Sequence, residues 1–289
     1  GSDAATIPTL PTHDIDNALA AMAQMRTHPR FDVNIPDGFR FRPVRELDAT
    51  NDKKIMIFEQ NPPMESWPVY GGKSFDIWDC DTKKYFAYID PEVAQRELNR
   101  KRAKPNRRSA FYEMNGDWRG TPSALPCLNP RIAFRDIVRS SDRRTTIATL
   151  IPPNTTITNK GPYLLRIRGN EKDEALLLSI MASIPFDWFS RRYVELSMNF
   201  FILNPLPVPR PKENNPLRLK AIELGGRLSS QDQRFDKWAE TVGVECGKLG
   251  DEEKRELILE LDSVVAHMYG LSERQLESIY RTFHHDGTV

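Results

Sequence analysis

The chain has 289 residues, of which 39% are apolar and 28% charged, with 22 prolines and a net charge of +1. That suits one large globular domain or two smaller ones with a real core and long irregular segments. It excludes a membrane-spanning helix, because no apolar run approaches the ~20 residues a span requires.

Cys80, Cys127 and Cys246 are far apart and form no CxxC pair, so they read as reduced thiols and not as metal ligands. No signal peptide is present, Gly1-Ser2 reads as a cloning scar, and there is no initiator Met. The expectation is a cytoplasmic fragment of a longer protein. Charge is uneven: residues 213–289 hold 10 Lys/Arg against 15 Asp/Glu, a net of −5, and the rest of the chain carries +6. A surface divided this way suits a polyanion on one part only.

Residues 12–28 place Ile15, Leu19, Met22 and Met25 at helical spacing. FRFRPV (39–44) alternates apolar and basic residues as a strand does, and KIMIF (54–58) is a short apolar run after the Asn51-Asp52 turn. WPVY, SFDIWD and KYFAYID follow as short strands between 67 and 90. Pro91 and Glu92 then open a helix whose continuation, to Arg108, is crowded with Lys and Arg. That run is either a solvated loop or an arm that tracks a nucleic-acid backbone.

Residues 130–168 hold two or three strands separated by PPNTTITNKGP. Residues 171–197 read as helix, a break at Pro185, then helix. Asn199–Leu203 reads as a short apolar strand, and PLPVPRP as a stiff exit. Residues 215–283 are helical. Asp251 starts an apolar-faced run, Gly270 stops it, and Ser272 with Gln275 forms a capping box for the last helix. The helix–Gly–helix pattern resembles a helix-turn-helix, but its first helix is strongly acidic and favours simple hairpin packing.

No catalytic constellation stands out. Asn61-Pro62-Pro63-Met64 resembles the turn that holds the target amine in amino-methyltransferases. However, Met64 replaces the stacking aromatic and no Gly-rich loop lies upstream. There is no Walker loop, Gly-x-Ser-x-Gly or zinc-ligand spacing, and His13, His28, His267, His284 and His285 have no evident partners.

The binding chemistry concentrates in RIAFRDIVRSSDRRTTIATLIPP (131–153), where Arg131, Arg135, Arg139, Arg143 and Arg144 fall within fourteen residues. Arginine forks onto phosphate oxygens and guanine edges, and nearby Ser, Thr and Asn side chains add hydrogen bonds. A basic sheet surface with local pairs, Arg135–Asp136 or Arg143–Asp142, is an equal alternative by pattern alone.

Five blocks occur in order: RELDATND (45–52), WPVYGGKSFDIWD (67–79), RIAFRDIVRSSDRRTTIATLIPP (131–153), EALLLSIMASIPFDWFSRRYVELSMNFFILNPLPVPRP (174–211) and LDSVVAHMYGLSERQLESIYRTF (261–283). Together they resemble the C-terminal, target-recognition (TaqI-like specificity) half of type IIG and type ISP-like restriction–modification adenine-specific DNA methyltransferases. The resemblance implies a DNA-reading region that follows an S-adenosylmethionine-dependent catalytic domain absent here. It places 131–153 on or near DNA, the helix at 176–184 and FDWF in the core, and the last helices as packing. The chain departs from that pattern at Tyr70-Gly71-Gly72-Lys73 and Asp79-Cys80-Asp81, where Tyr-Glu-Gly/Ala-Lys and Asp-His-Arg are expected, which leaves Lys73 as the basic residue there.

The expected fold is α+β, a mixed twisted sheet with packed helices followed by a mostly helical C-terminal part. Residues 1–29 are expected as the tail of an upstream domain, 30–211 as the recognition domain and 212–289 as a helical subdomain. Expected DNA-binding residues are Lys73, Lys101, Arg102, Arg107, Arg108, Arg135, Arg139, Arg143, Arg144, Asn154, Lys160, Arg191 and Arg192. The last two could instead snorkel over Trp188. No catalytic residue, metal or cofactor is expected in this chain, S-adenosylmethionine belonging to the upstream domain. The partners are double-stranded DNA and that domain, with no membrane. The alternatives are a catalytic fragment around Asn61–Met64 and an interaction scaffold using the acidic C-terminal helices.

Overall fold

A computed structural model describes residues 8–9, 13–103, 109–114 and 124–285. The fold is α+β, with nine α-helices and seven strands among the described residues. The chain packs as two compact units. Phe39–Asp136 with Ala148–Asn170 form one; Gly1–Gly38, Ile137–Ile147 and Glu171–Val289 form the other. The stretch 30–211 therefore contributes to both.

The first unit carries the sheets. β1 (Arg40–Val44), β4 (Arg131–Phe134), β5 (Ala148–Ile151) and β7 (Tyr163–Arg168) make an antiparallel sheet in the order β1-β7-β4-β5. β2 (Trp67–Tyr70), β3 (Ala87–Ile89) and β6 (Thr156–Ile157) make a smaller mixed sheet in the order β3-β2-β6. Both faces of β4 and β5 are buried, Arg131 and Thr149 included. α2 (Pro91–Ala103) lays Ala94 and Leu98 in one core cluster with Val69, Ala87, Ile89, Leu125 and Cys127. Burial pushes the Cys127 thiol up to about 12, so it stays protonated.

The helical unit holds α1 (Ile15–Met25), α3 (Glu171–Ala182), α4 (Ile184–Arg191), α5 (Phe200–Leu203), α6 (Pro216–Ser229), α7 (Asp236–Val242), α8 (Asp251–Tyr269) and α9 (Glu273–His285). α3 is buried almost all round, and α6 approaches it closely: a Cβ on Gly225 would meet Ser179 Oγ at 1.9 Å. Gly270 ends α8 with φ +71°, a left-handed conformation suited to glycine. The capping box forms as expected. Ser272 N donates to Gln275 Oε1 at 2.8 Å, and Gln275 N donates to Ser272 Oγ at 3.3 Å. α9 packs into the unit, with Trp188 Nε1 donating to Thr282 Oγ1 at 2.7 Å.

Several local expectations need correction. KIMIF does not form a strand: Lys53–Ile55 is a 3-10 turn, and only Ile57 bridges, to Tyr88. SFDIWD is a loop folded around buried Phe75 and Trp78. Asn199–Leu203 is a helical turn because the Asn199 side chain caps it, accepting from Ile202 N at 3.1 Å. The break between α3 and α4 falls at Ser183, which caps α4, and Pro185 sits in that helix's first turn where its missing N–H costs nothing.

Candidate nucleic-acid interface

In the sheet-bearing unit the first arginine of the basic stretch is structural. Arg131 Nη2 donates to Glu46 Oε2 and to Thr155 O, each at 2.9 Å, and its guanidinium lies 5.0 Å from the Tyr163 ring centre. Glu46 also accepts from Ile157 N at 2.9 Å, so one buried carboxylate joins β4 to β6. Burial raises the Glu46 carboxyl above its ordinary value, and Arg131 works against that rise.

Arg135 is committed as well. Its Nη2 donates to Phe75 O and, at 3.1 Å, to Asp76 Oδ2, which pins the loop 71–86. That loop is closed by its own hydrogen bonds: Ser74 Oγ donates to Lys84 O at 2.7 Å and Thr82 Oγ1 to Lys73 O at 2.6 Å. The turn 158–161 lies against it, since a Cβ on Gly72 would come within 3.2 Å of Lys160 O. Lys73 and Lys160 are thus exposed on neighbouring, well-held loops, and neither makes an ion pair among the described residues. Lys84, exposed on the same loop, was not anticipated; the adjacent Lys83-Lys84 pair in a turn was its only signal. Lys83 is occupied by Asp81 at 2.7 Å. Asn154 is exposed in a left-handed turn, φ +57°, between β5 and β6.

Two of the basic residues expected at the interface, Lys101 and Arg102, do not present their charge. Lys101 Nζ donates to Asp52 Oδ2 at 2.5 Å and to Glu46 O at 3.1 Å. Arg102 is 1% exposed, and desolvation lowers its pKa. A phosphate clamp at either position would have to break these arrangements. Arg107 and Arg108 lie outside the described residues.

In the helical unit the segment 137–147 is organised by Asp187, whose side chain is fully buried. Its carboxylate accepts from Thr145 N at 2.8 Å, from Thr146 N, and from Arg144 Nε at 2.8 Å. Arg144 Nη2 also donates to Ala182 O at 2.6 Å. Arg191 holds the same loop from below, donating to Asp142 O at 2.9 Å and Arg143 O at 3.1 Å while its guanidinium sits 4.3 Å from the Phe283 ring centre. Arg192 is buried with its guanidinium 5.4 Å from the Trp188 ring centre and Nε donating to Trp188 O at 3.3 Å, so its charge does not snorkel to water. Arg144, Arg191 and Arg192 are therefore part of the scaffold.

Arg139 and Arg143 differ. The backbone around them is closed by Arg139 N donating to Asp142 Oδ2 at 2.8 Å and Thr145 Oγ1 donating to Arg139 O at 3.2 Å. Both side chains are exposed, and neither forms an ion pair among the described residues. The local pair Arg143–Asp142 is not made, because the Asp142 carboxylate is spent on the backbone. Arg135 likewise pairs with Asp76, while Asp136 lies 3.7 Å from Arg45.

No group of three or more His, Cys, Asp or Glu side chains able to hold a metal ion is found among the described residues, and no described helix is long and apolar enough to cross a membrane. Met64 is fully exposed, so the Asn61–Met64 turn offers no wall against which a flipped base could stack.

No protein-family model and no curated protein matches the chain. Among solved structures it is similar to the type IIL restriction–modification enzyme MmeI in complex with DNA, at 10% identity and a TM-score of 0.43. That alignment covers 89% of this chain and 38% of the enzyme, so the chain spans well under half of the enzyme's length.

Proposed function

We propose that this chain is a sequence-specific recognition region for double-stranded DNA, with no catalytic activity of its own. In this reading it serves an adenine-specific methyltransferase of a restriction–modification or phage-defence system. S-adenosylmethionine and the methyl-transfer step belong to an upstream domain, and no residue of this chain is assigned to the cofactor.

The observation that carries the reading is the loop at 137–147. Half-buried Arg144, buried Arg191 and Asp187 fix its backbone, and two further arginines, Arg139 and Arg143, are left exposed on it without acidic partners among the described residues. Such pre-organisation favours base or near-base contacts, because little side-chain support must be ordered on binding. Lys73 and Lys160 suit phosphates, whose neutralisation releases counterions. Asn154 can pair with an adenine edge. The ordered series of five sequence blocks points the same way.

The test is fluorescence anisotropy of the full chain with a random-sequence duplex across a salt series. Affinity is expected to fall steeply with salt. An Arg139→Ala/Arg143→Ala variant is expected to bind more weakly, and to lower the log–log salt slope by up to about 2 if both side chains meet phosphates. A folded chain that binds no duplex even at low salt overturns the proposal.

A further inference from the structure

We infer that a cavity in the helical unit binds a nucleotide unit: a nucleobase with an exocyclic amine together with its phosphate. The cavity, of about 440 Å³, lies where the end of α1, the end of α4 and α5 meet. That volume is within the usual range for small-molecule sites.

Three features set the ligand's chemistry. The first is aromatic walls. Phe189 and Tyr193 line the cavity with ring centres 5.5 Å apart, and Phe201 faces it while remaining 51% exposed. Phe189, 3% exposed, backs the wall, and a planar heterocycle stacks on the exposed Phe201 face; such stacking is tolerant of base identity.

The second is a buried acceptor. Asn204 lines the same cavity, and its Oδ1 is buried without a hydrogen-bond donor among the described residues. Buried carbonyl oxygens are normally paired, so this one calls for a ligand N–H. An exocyclic amine of adenine or cytosine supplies it.

The third is an exposed cation at the rim. Arg30 is engaged by Asp32 at 3.0 Å. Arg26 is exposed and oriented by Tyr193: it donates to the phenol oxygen, and its guanidinium lies 6.0 Å from the ring centre. Its other N–H groups can meet a phosphate. A base inside a duplex cannot enter, since its faces and pairing edge are covered. The source is therefore either a free nucleotide or a base in a single strand.

The experiment is isothermal titration of the full chain with adenosine monophosphate, adenosine, purine riboside monophosphate (which lacks the amine) and a short single-stranded oligo-dA. Adenosine monophosphate is expected to bind at least tenfold more tightly than the nucleoside or the amine-free nucleotide. Phe201→Ala should weaken all binding. Arg26→Ala should remove the preference for the phosphate, and Asn204→Leu the preference for the amine. Asn204→Ala, which also removes the acceptor, stands in if the Leu variant does not fold. Binding of the oligonucleotide but not the monophosphate, with the same variant responses, assigns the site to single strands. No binding of either at millimolar concentration, or binding indifferent to Phe201→Ala and the Asn204 variants, overturns the inference. The duplex proposal is independent, because Arg139→Ala/Arg143→Ala should leave this titration unchanged.

Discussion

Arg144 Nε donates to Asp187 Oδ2 at 2.8 Å, across 43 residues of sequence, and that carboxylate has no solvent exposure. The pair, with the Thr145 and Thr146 amides, shapes the loop that displays Arg139 and Arg143. Asp187→Ala should destabilise the chain by about 3–5 kcal/mol, because it strands the half-buried Arg144 guanidinium and two buried amide donors. Urea denaturation checks this; a loss under about 1 kcal/mol would mean the loop is held by other contacts.

Lys73 and Lys160 should act on DNA affinity and not on stability. A Lys73→Ala/Lys160→Ala variant is expected to unfold within about 0.5 kcal/mol of the wild type, as surface substitutions do. It should also show a shallower salt dependence, by up to about 2 in the log–log slope. Arg102→Ala should do the reverse, lowering the midpoint of denaturation with the salt slope kept. Equal slopes in the wild type and the lysine variant would remove both lysines from the interface.

Asp262 supplies a pH signature. Burial pushes its carboxyl up to about 6 from an ordinary 3.8, opposed by Arg144 and by the Ile184 amide, which donates to Oδ1 at 2.8 Å. A folded pKa above the unfolded one means the native state holds the extra proton between those values. This group's contribution is therefore most favourable below about pH 4 and is lost as pH rises through about 6. The loss at neutral pH is about 3 kcal/mol. Asp262→Asn, which keeps an acceptor for Ile184 N, should gain on the wild type by that order between pH 4 and pH 7. A stability difference that stays constant across that range, measured by urea titration at each pH, would contradict the assignment.

Gly225 tests the contact of α3 with α6. Ser179 Oγ donates to Ala221 O at 2.8 Å, and there is no room for a methyl group beside it. Gly225→Ala should cost about 1–3 kcal/mol by overpacking, despite the better helix propensity of alanine. A thermal midpoint at or above that of the wild type would show that the helices can separate without penalty.

Much of the fold was legible because its signals are local. Gly270, the Ser272–Gln275 box and the spacing of Leu261, Val265 and Met268 each report on their own turn of helix. KIMIF and SFDIWD misled because short apolar runs fit a strand or a buried loop equally well. The candidate binding residues were harder still. Whether an arginine is displayed or buried depends on partners far away in sequence: Glu46 is 85 residues from Arg131, and Asp76 is 59 from Arg135. The aspartates beside those arginines suggested neighbours' pairs that the backbone and other residues claim instead.

The basic stretch also has a consequence for dissection. Its flanks at 131–136 and 148–153 fold with the sheets, and its middle folds with the helices, so the polypeptide passes between the two units four times. Neither unit is one continuous piece of gene. A truncation at any single point divides a unit, and expressing the sheet-bearing part alone requires a new linker from Asp136 to Ala148. A single crossover with another sequence would likewise separate Arg139 and Arg143 from Asp187 unless its junction falls outside 137–191.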